Sequence, residues 1–191
     1  MKLTEARQLI KDLSPALVQH IERARRLSRE LARAHGISQN RAALAMLLHD
    51  VARNLDETHM INLAQSFGLD ITERDLQMPL LLHGPVGAKL LERDHGVKDA
   101  EILEAVSVHT TGRPGMGKFA KVVFLADKLE SGKTKDNPGL EVVLQMADRN
   151  LNGAMLAYLG WEKERLSKSG LSLHPLTQKT LEYLIDSFLK G

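Results

Sequence analysis

RAALAMLLHDVAR, residues 41–53, is apolar nearly all round apart from its ends and one His-Asp pair. Such a pattern is typical of a helix that is buried among other helices. Asp50 lies inside the apolar run, where a carboxylate is costly unless a cation or hydrogen-bond donors compensate it. Imidazole and carboxylate groups are ligands for zinc, manganese, iron and related divalent ions. The segment therefore predicts a multi-helix core and a metal-binding pair, His49 and Asp50, within it.

Helix start and stop signals predict further helices on both sides of this segment. Ser14-Pro15 caps a helix that ends near Gly36, and Ser38 caps the helix that carries the His-Asp pair. Strict alternation is missing and aromatic residues make up only 4% of the chain, which favours a helical core over a sheet. We expect one all-α domain over residues 1–191. The other predicted helices cover residues 56–65, 83–96, 98–109, 117–129, 140–159 and 176–189, with loops at 110–117, 131–139 and 168–175.

Composition excludes several classes of protein. A chain of 191 residues is expected to form a single core, and its formal net charge of +2 does not predict a nucleic-acid partner. The absence of cysteine excludes disulfides, thiolate metal sites and cysteine nucleophiles. The first 15 residues lack an apolar signal region, and no stretch approaches the ~18 apolar residues of a membrane span. We therefore expect a soluble cytoplasmic protein without a membrane partner.

Ligand-type side chains interrupt four other apolar segments as well. A single histidine on an apolar helix face is usually a hydrogen-bonded core residue. The recurrence of such residues in five separate apolar segments favours a shared metal centre instead. The additional residues are His20, His83, His109 and Asp127.

The loop HTTGRPGMGK, residues 109–118, has the composition of an anion-binding loop. Its glycines, among them Gly112, allow the backbone to approach a ligand closely and to adopt positive φ. Arg113 offers a planar fork that suits phosphate oxygens. An ordinary interhelical loop with an exposed arginine is the alternative interpretation.

These residues occur in the order H…HD…H…H…D, which resembles the HD-domain superfamily of metal-dependent phosphohydrolases. The strings LLHGPVGA, HTTGRPGM and VVFLADKLE are more specifically similar to the YqeK family of symmetrical bis(5′-nucleosyl)-tetraphosphatases, over about residues 14–180. This resemblance implies an all-α HD-domain helical bundle with a core over about residues 14–130, whose C-terminal helices complete a nucleotide pocket. It also implies hydrolysis of diadenosine tetraphosphate to two ADP by a metal-activated water.

The resemblance further implies roles for individual residues. The principal metal ligands would be His20, His49, Asp50 and Asp127. His83 and His109 would face the phosphates or hold a second metal. On chemical grounds we expect Asp50, His83 and His109 to be catalytic: Asp50 would orient the attacking water, and the two histidines would stabilise developing charge or protonate the leaving ADP. The nucleotide would be bound by His83, Gly84, His109, Gly112, Arg113, Lys133 and His174. Iron is the implied metal, as one or two ions, although manganese, cobalt or zinc also suit these ligands.

The stretch ESGKTK, residues 130–135, departs from the family pattern, which usually has a proline and an arginine here. Lys133 supplies a charge but not a bidentate guanidinium, so substrate preference or turnover could differ. Two alternatives stay open at this point: another HD-type nucleotide phosphatase or phosphodiesterase, and a nucleotide-binding regulator without catalysis. The sequence is compatible with a homodimer.

Overall fold

The computed structural model describes residues 1–190, so that Gly191, the last residue of the predicted domain, lies outside the described residues. Over this range the chain forms α-helices and one 3-10 helix, and no strand occurs among these residues, which confirms the all-α fold. The helices are α1 (Leu3–Leu9), α2 (Pro15–Ala34), α3 (Gln39–Leu48), α4 (Glu57–Ser66), α5 (Glu73–Gln77), the 3-10 helix (Pro79–Leu82), α6 (His83–His95), α7 (Ala100–Val108), α8 (Lys118–Leu129), α9 (Ser131–Asp136), α10 (Leu140–Ala147), α11 (Leu151–Ser167) and α12 (Pro175–Leu189).

Helix α3 occupies the centre of the bundle, and α1, α2, α7 and α8 pack around it. The predicted caps are present at the starts of α2 and α3: the Ser14 side chain accepts a hydrogen bond from the Leu17 amide, and Ser38 accepts one from the Arg41 amide. Met46, Leu47 and Leu48 are fully buried, as expected for a helix that is apolar on all faces. The apolar pattern continues to Arg53, but the helix itself ends at Leu48. The His-Asp pair therefore lies in the turn that follows the helix.

The interior consists of two apolar clusters. The main cluster joins most of the helices, whereas a smaller one lies beneath α4 and contains Ala52, Met60, Ala64, Leu82 and Val86. The turn after α3 runs between the two clusters and carries His49 and Asp50. No helix among residues 1–190 is both long enough and apolar enough to cross a bilayer.

Two predicted boundaries were wrong in the C-terminal part of the chain. Residues 140–159 form two helices rather than one, because Asn150 adopts extended backbone geometry and its side chain caps α11 by accepting a hydrogen bond from the Gly153 amide. The predicted loop 131–139 contains α9, which follows directly on Glu130. The helices α1 and α5 and the 3-10 helix were not predicted, since each is shorter than the window of about 11 residues over which a helical apolar pattern becomes recognisable.

Candidate metal centre

Six side chains from five segments of the chain converge at one point in the interior. They come from α2, from the turn after α3, from the junction of the 3-10 helix with α6, from the end of α7 and from α8. All are buried except one histidine on α2, which is partly exposed. The structure thus brings together the ligand-type residues that the sequence singled out. This six-residue cluster consists of His20, His49, Asp50, His83, His109 and Asp127.

Asp50 joins three of the histidines. Its Oδ1 atom lies 2.9 Å from Nε2 of His83 and 3.7 Å from Nε2 of His109. Its Oδ2 atom lies 3.4 Å from Nε2 of His49. Asp50 is only 1% exposed, so this carboxylate is withdrawn from water and needs a compensating partner within the cluster.

Asp127 occupies the other side of the cluster. Its Oδ1 atom lies 3.0 Å from Nε2 of His20 and 3.7 Å from Nε2 of His49. His49 therefore stands between the two carboxylates. Three overlapping triplets of ligand atoms result, and within each triplet the atoms lie within 4.8 Å of one another. This spacing permits one ion or two neighbouring ions.

Three of the histidines, here called the helix-end histidines, are held in the same way. His49, His83 and His109 each follow the last residue of a helix, where backbone carbonyls have no amide partner within the helix. In each case the Nδ1 atom bonds to the carbonyl oxygen three residues earlier, at 2.7 Å for both His49 and His109. Because a carbonyl only accepts, Nδ1 carries a hydrogen, and in the neutral form of each ring Nε2 therefore presents a lone pair to the centre.

Two unsatisfied atoms show that this arrangement fits a cation. Nε2 of His49 and Oδ1 of Asp50 are buried and have no hydrogen-bond partner. The Nε2 atoms of His83 and His109 lie 2.9 Å apart, although neither neutral ring has a hydrogen on that nitrogen to donate. A divalent ion among these lone pairs would remove the repulsion and satisfy the buried acceptors. The donor set of imidazole nitrogens and carboxylate oxygens suits a transition metal such as iron, manganese, cobalt or zinc.

His20 is held differently, because it lies inside α2 where the backbone carbonyls already accept amide hydrogens. Its Nδ1 atom lies 3.3 Å from Oε1 of Glu130. Glu130 is 1% exposed and also accepts hydrogen bonds from the Arg23 guanidinium and, at 2.7 Å, from the Gly132 amide. A carboxylate behind a metal-binding histidine fixes its ring and its tautomer. Sequence reasoning missed Glu130, although its spacing of three from Asp127 was a usable signal.

The charges within the cluster depend on burial and on its neighbours. Burial raises the pKa of Asp50, but His49, His109 and His83 outweigh it and hold that pKa far below its usual range. The pKa of Asp127 is likewise held well below its usual range, because Lys128, His20 and His49 outweigh its burial. Both carboxylates are therefore ionised at neutral pH.

The histidines differ from one another in pKa. Burial lowers the pKa of His109 to about 4, which keeps it neutral at neutral pH and available as a ligand. Burial also lowers the pKa of His20, but its hydrogen bonds to Asp127 and Glu130 outweigh that effect and raise it to about 9. His20 therefore holds a proton that an incoming metal would displace, so metal binding is expected to release a proton.

Two cavities flank the cluster. The larger cavity has a volume of about 880 Å³ and reaches His20, Asp50 and Asp127. The smaller cavity has a volume of about 270 Å³ and reaches His83. The two share a wall that is formed by Arg53, Lys128, Tyr158, Glu162 and Arg165.

Basic side chains at this shared wall touch the cluster itself. Arg53 Nη1 lies 3.6 Å from Oδ1 of Asp50, and Lys128 Nζ lies 2.7 Å from Oδ2 of Asp127. Neither residue was predicted, because each reads in the sequence as an ordinary surface charge beside an apolar run. Their positions three residues after Asp50 and directly after Asp127 were the available signals. They supply positive charge where an anion would meet the cluster.

The structure brings only some of the predicted nucleotide-binding residues to these cavities. Lys133 lines the larger cavity. His174 lines the smaller cavity, where its Nε2 atom lies 3.2 Å from a carboxylate oxygen of the buried Asp75. Arg113 lines neither cavity, because its guanidinium pairs with Glu104 at the surface.

The two predicted glycines pack against protein rather than line a cavity. A Cβ atom on Gly84 would lie 2.9 Å from the Ser107 carbonyl oxygen and 3.2 Å from Nδ1 of His109, so this glycine permits α6 to approach α7. Gly112 has a positive φ of 69° and faces Thr180, with which a Cβ atom would make a contact of 3.0 Å. Each glycine therefore has a packing reason independent of any ligand.

Comparisons with known proteins agree with this arrangement. Residues 17–132, more than half of the chain, match the family model described as the HD domain. The chain is 32% identical to a symmetrical bis(5′-nucleosyl)-tetraphosphatase of Halalkalibacterium halodurans, over 97% of this chain and 98% of that protein. It is 33% identical to a protein of the same name from Bacillus subtilis, over 82% of each.

A solved structure shares the complete fold. It is a crystal structure from Clostridium acetobutylicum, described as a predicted HD superfamily hydrolase involved in NAD metabolism. The TM-score is 0.90 at 26% sequence identity, and the match covers 98% of both chains. The helices after residue 132 thus belong to the shared architecture and are not an addition to it.

Proposed function

The chain is an HD-domain hydrolase of the symmetrical bis(5′-nucleosyl)-tetraphosphatase family, and from this premise we propose that it cleaves diadenosine tetraphosphate to two ADP. The observation that carries the proposal is that two neighbouring cavities reach different residues of the six-residue cluster. A symmetrical cut leaves one nucleoside diphosphate on each side of the reacting centre. A hydrolase of this kind therefore needs room on both sides of its catalytic group.

We propose that His20, His49, Asp50 and Asp127 are the principal metal ligands. His83 and His109 would then hold a second ion or face the phosphates. When bound, a divalent metal would neutralise phosphate charge and lower the pKa of a bound water toward neutrality. Iron is the proposed metal, and manganese, cobalt and zinc are the alternatives to be tested.

The roles of the two remaining histidines follow from their hydrogen bonds. The Nδ1 hydrogens of His83 and His109 are engaged by backbone carbonyls, so Nε2 is the ring nitrogen that each histidine can offer to a metal. The pKa of His109, about 4 because of burial, also disfavours a proton on its Nε2 atom at neutral pH. For His109, both observations support a role as ligand over a role as proton donor to the leaving ADP.

Cations of the cavity walls would hold the phosphate chain. Arg53 and Lys128 lie at the wall that both cavities share, and Lys133 lies in the larger cavity. We propose that Arg53 supplies the bidentate guanidinium contact for which the sequence suggested Arg113. In the smaller cavity His174 would contact the nucleotide beside Leu173.

Removal and restoration of the metal test this proposal. Protein purified without chelator is expected to contain a transition metal and to hydrolyse diadenosine tetraphosphate. A chelator should abolish turnover, and anaerobic Fe²⁺, Mn²⁺ or Co²⁺ should restore it. Full turnover by chelator-treated, metal-free protein would contradict the proposal. Tight ADP binding without hydrolysis under any metal would indicate a regulator instead.

A further inference from the structure

We propose that the larger cavity binds one nucleoside of the substrate with its base stacked on Trp161. This inference rests on the proposed function, because it assigns a binding site to one of the two nucleosides of a dinucleoside substrate. It adds a binding residue in a part of the chain that follows the matched HD segment, residues 17–132.

Trp161 is the only tryptophan of the chain and lies on α11, where its side chain is partly exposed. It lines the larger cavity, together with the apolar residues Leu17 and Leu140. Its ring is supported from within the protein by Tyr158, at a centroid distance of 5.8 Å and an interplanar angle of 37°. The cavity thus has an apolar part in addition to the charged part at the cluster.

A flat aromatic surface in a largely polar cavity suits a nucleobase better than it suits phosphate. The walls near the cluster carry charge on Arg23, Lys128 and Glu130, whereas Trp161 offers an apolar face. Bases stack on aromatic side chains whatever their identity, because every base has a π-face. Phosphate oxygens gain nothing from an indole face, so the arrangement favours a nucleoside at this end.

Arg165 places a cation over one face of the same ring. Its Cζ atom lies 5.8 Å from the centroid of Trp161, and Glu162 holds its guanidinium through two hydrogen bonds of 2.7 Å. Because the guanidinium is fixed by Glu162, it can border a stacked base without having to be ordered on binding. Both residues also reach the wall that the two cavities share.

The volumes of the two cavities agree with the binding of one half of the substrate in each cavity. The smaller cavity, about 270 Å³, is bordered by apolar residues such as Leu81 and Leu159, by the charged residues of the shared wall and by the loop that contains His174. The larger cavity, about 880 Å³, lies within the range of small-molecule sites, which is about 300–1,000 Å³. It has room for a phosphate chain at the cluster and for a nucleoside at Trp161. Each half of a symmetrical substrate then has its own cavity.

Tryptophan emission provides a direct test on the unaltered protein. The ligand is an analogue of diadenosine tetraphosphate in which a methylene group replaces the central bridging oxygen, added to Zn²⁺-loaded protein. Saturating analogue is expected to change the emission of Trp161, whereas the same phosphate chain without nucleosides should not. An unchanged emission despite binding measured by calorimetry would overturn the inference.

Substitutions give a second, independent test. Trp161→Ala should weaken binding of the analogue about 10- to 100-fold, which corresponds to about 1.4–2.7 kcal/mol. Trp161→Phe should keep most of the affinity, and binding of the nucleoside-free chain should stay the same in both variants. Tyr183→Ala is the matched control, because Tyr183 is an exposed aromatic residue on α12 that lines neither cavity.

The outcomes separate this inference from the proposed function. Wild-type affinity in Trp161→Ala, or an equal loss for the nucleoside-free chain, would overturn the stacking role and leave the hydrolase proposal intact. Failure of the wild-type protein to bind the analogue at all would count against the proposed function itself.

Discussion

The two sides of the six-residue cluster are built on different supports. The helix-end histidines His49, His83 and His109 each rest on a carbonyl of their own backbone. His20, inside α2, rests on Glu130, a side chain from a distant part of the sequence. The difference follows from helix geometry, since only the end of a helix offers a free carbonyl to a nearby side chain.

This difference determines which of the histidine supports can be removed by substituting a single side chain. The carbonyl supports cannot be removed by changing a side chain, so that side is altered only through the packing of its helices. The support of His20 depends on one carboxylate, which also binds Arg23 and the amide of Gly132. We therefore expect the His20 side to be the one that is easier to perturb.

The largest effect is expected at Asp50, which contacts the helix-end histidines directly. Asp50→Asn keeps the shape of the side chain but removes the charge and one ligand oxygen. We expect kcat/KM to fall at least about 1,000-fold, about 4 kcal/mol of transition-state stabilisation, with a reduced metal content. Steady-state kinetics and elemental analysis of the purified variant would measure both. A variant with full metal content and wild-type turnover would refute the assignment.

The next effect tests the side-chain support of His20. Glu130→Gln removes the charge that holds His20 and Arg23, and loss of such a partner typically costs about 10- to 100-fold in metal affinity. Competition with a chromophoric chelator would measure the dissociation constant of the metal in each variant. Glu104→Gln is the matched control, because Glu104 also pairs with an arginine but lines neither cavity. Equal metal affinity in the two variants would show that Glu130 does not support the site.

A third substitution reaches the backbone-supported side through packing. Gly84→Ala would place a methyl group 2.9 Å from the Ser107 carbonyl oxygen and 3.2 Å from Nδ1 of His109. We expect a loss of about 1–3 kcal/mol in the free energy of unfolding, as is typical of overpacking, and weaker metal binding. Urea denaturation of the metal-free protein would measure the first quantity.

Gly160→Ala is the control for that substitution. Gly160 lies inside α11 and no atom would lie within 4 Å of an added Cβ. Alanine there should be neutral or stabilise the protein by up to about 1 kcal/mol. If Gly84→Ala were as stable to urea as Gly160→Ala, the close contact between α6 and α7 would not require a glycine at position 84.

The smallest effect is expected at Arg113, which sequence reasoning placed on the phosphates. Because its guanidinium pairs with Glu104 away from both cavities, Arg113→Ala should change kcat/KM by less than about threefold. Arg53→Ala is the comparison, since Arg53 lies 3.6 Å from Asp50, and it should raise KM about tenfold or more. If Arg113→Ala lowered kcat/KM more than Arg53→Ala in steady-state kinetics, the prediction from the sequence that Arg113 contacts the phosphates would be supported instead.

The sequence predicted those features that depend on local pattern. Asp50 and Asp127 stood out because a carboxylate within an apolar helix needs a compensating partner. The caps Ser14 and Ser38 located the two helices that carry His20 and the His-Asp pair. These inferences needed no knowledge of which helices are neighbours.

Features that depend on tertiary packing could not be predicted in the same way. Glu130 follows a helix and resembles a surface charge until α2 is packed against α8, where it becomes buried. Arg113 had the right chemistry, but the fold turns its side chain toward Glu104 rather than toward the cluster. Trp161 showed no pattern at all, because it becomes part of a cavity wall only when the fold brings α11 to the same cavity as residues of α2 and α9.

Product analysis tests the proposed activity most directly. Metal-loaded protein would be incubated with diadenosine tetraphosphate, and the nucleotides separated by chromatography at early times. Cleavage between two equal halves predicts ADP as the only initial product. AMP together with ATP, or no turnover with any of Fe²⁺, Mn²⁺, Co²⁺ and Zn²⁺, would contradict it.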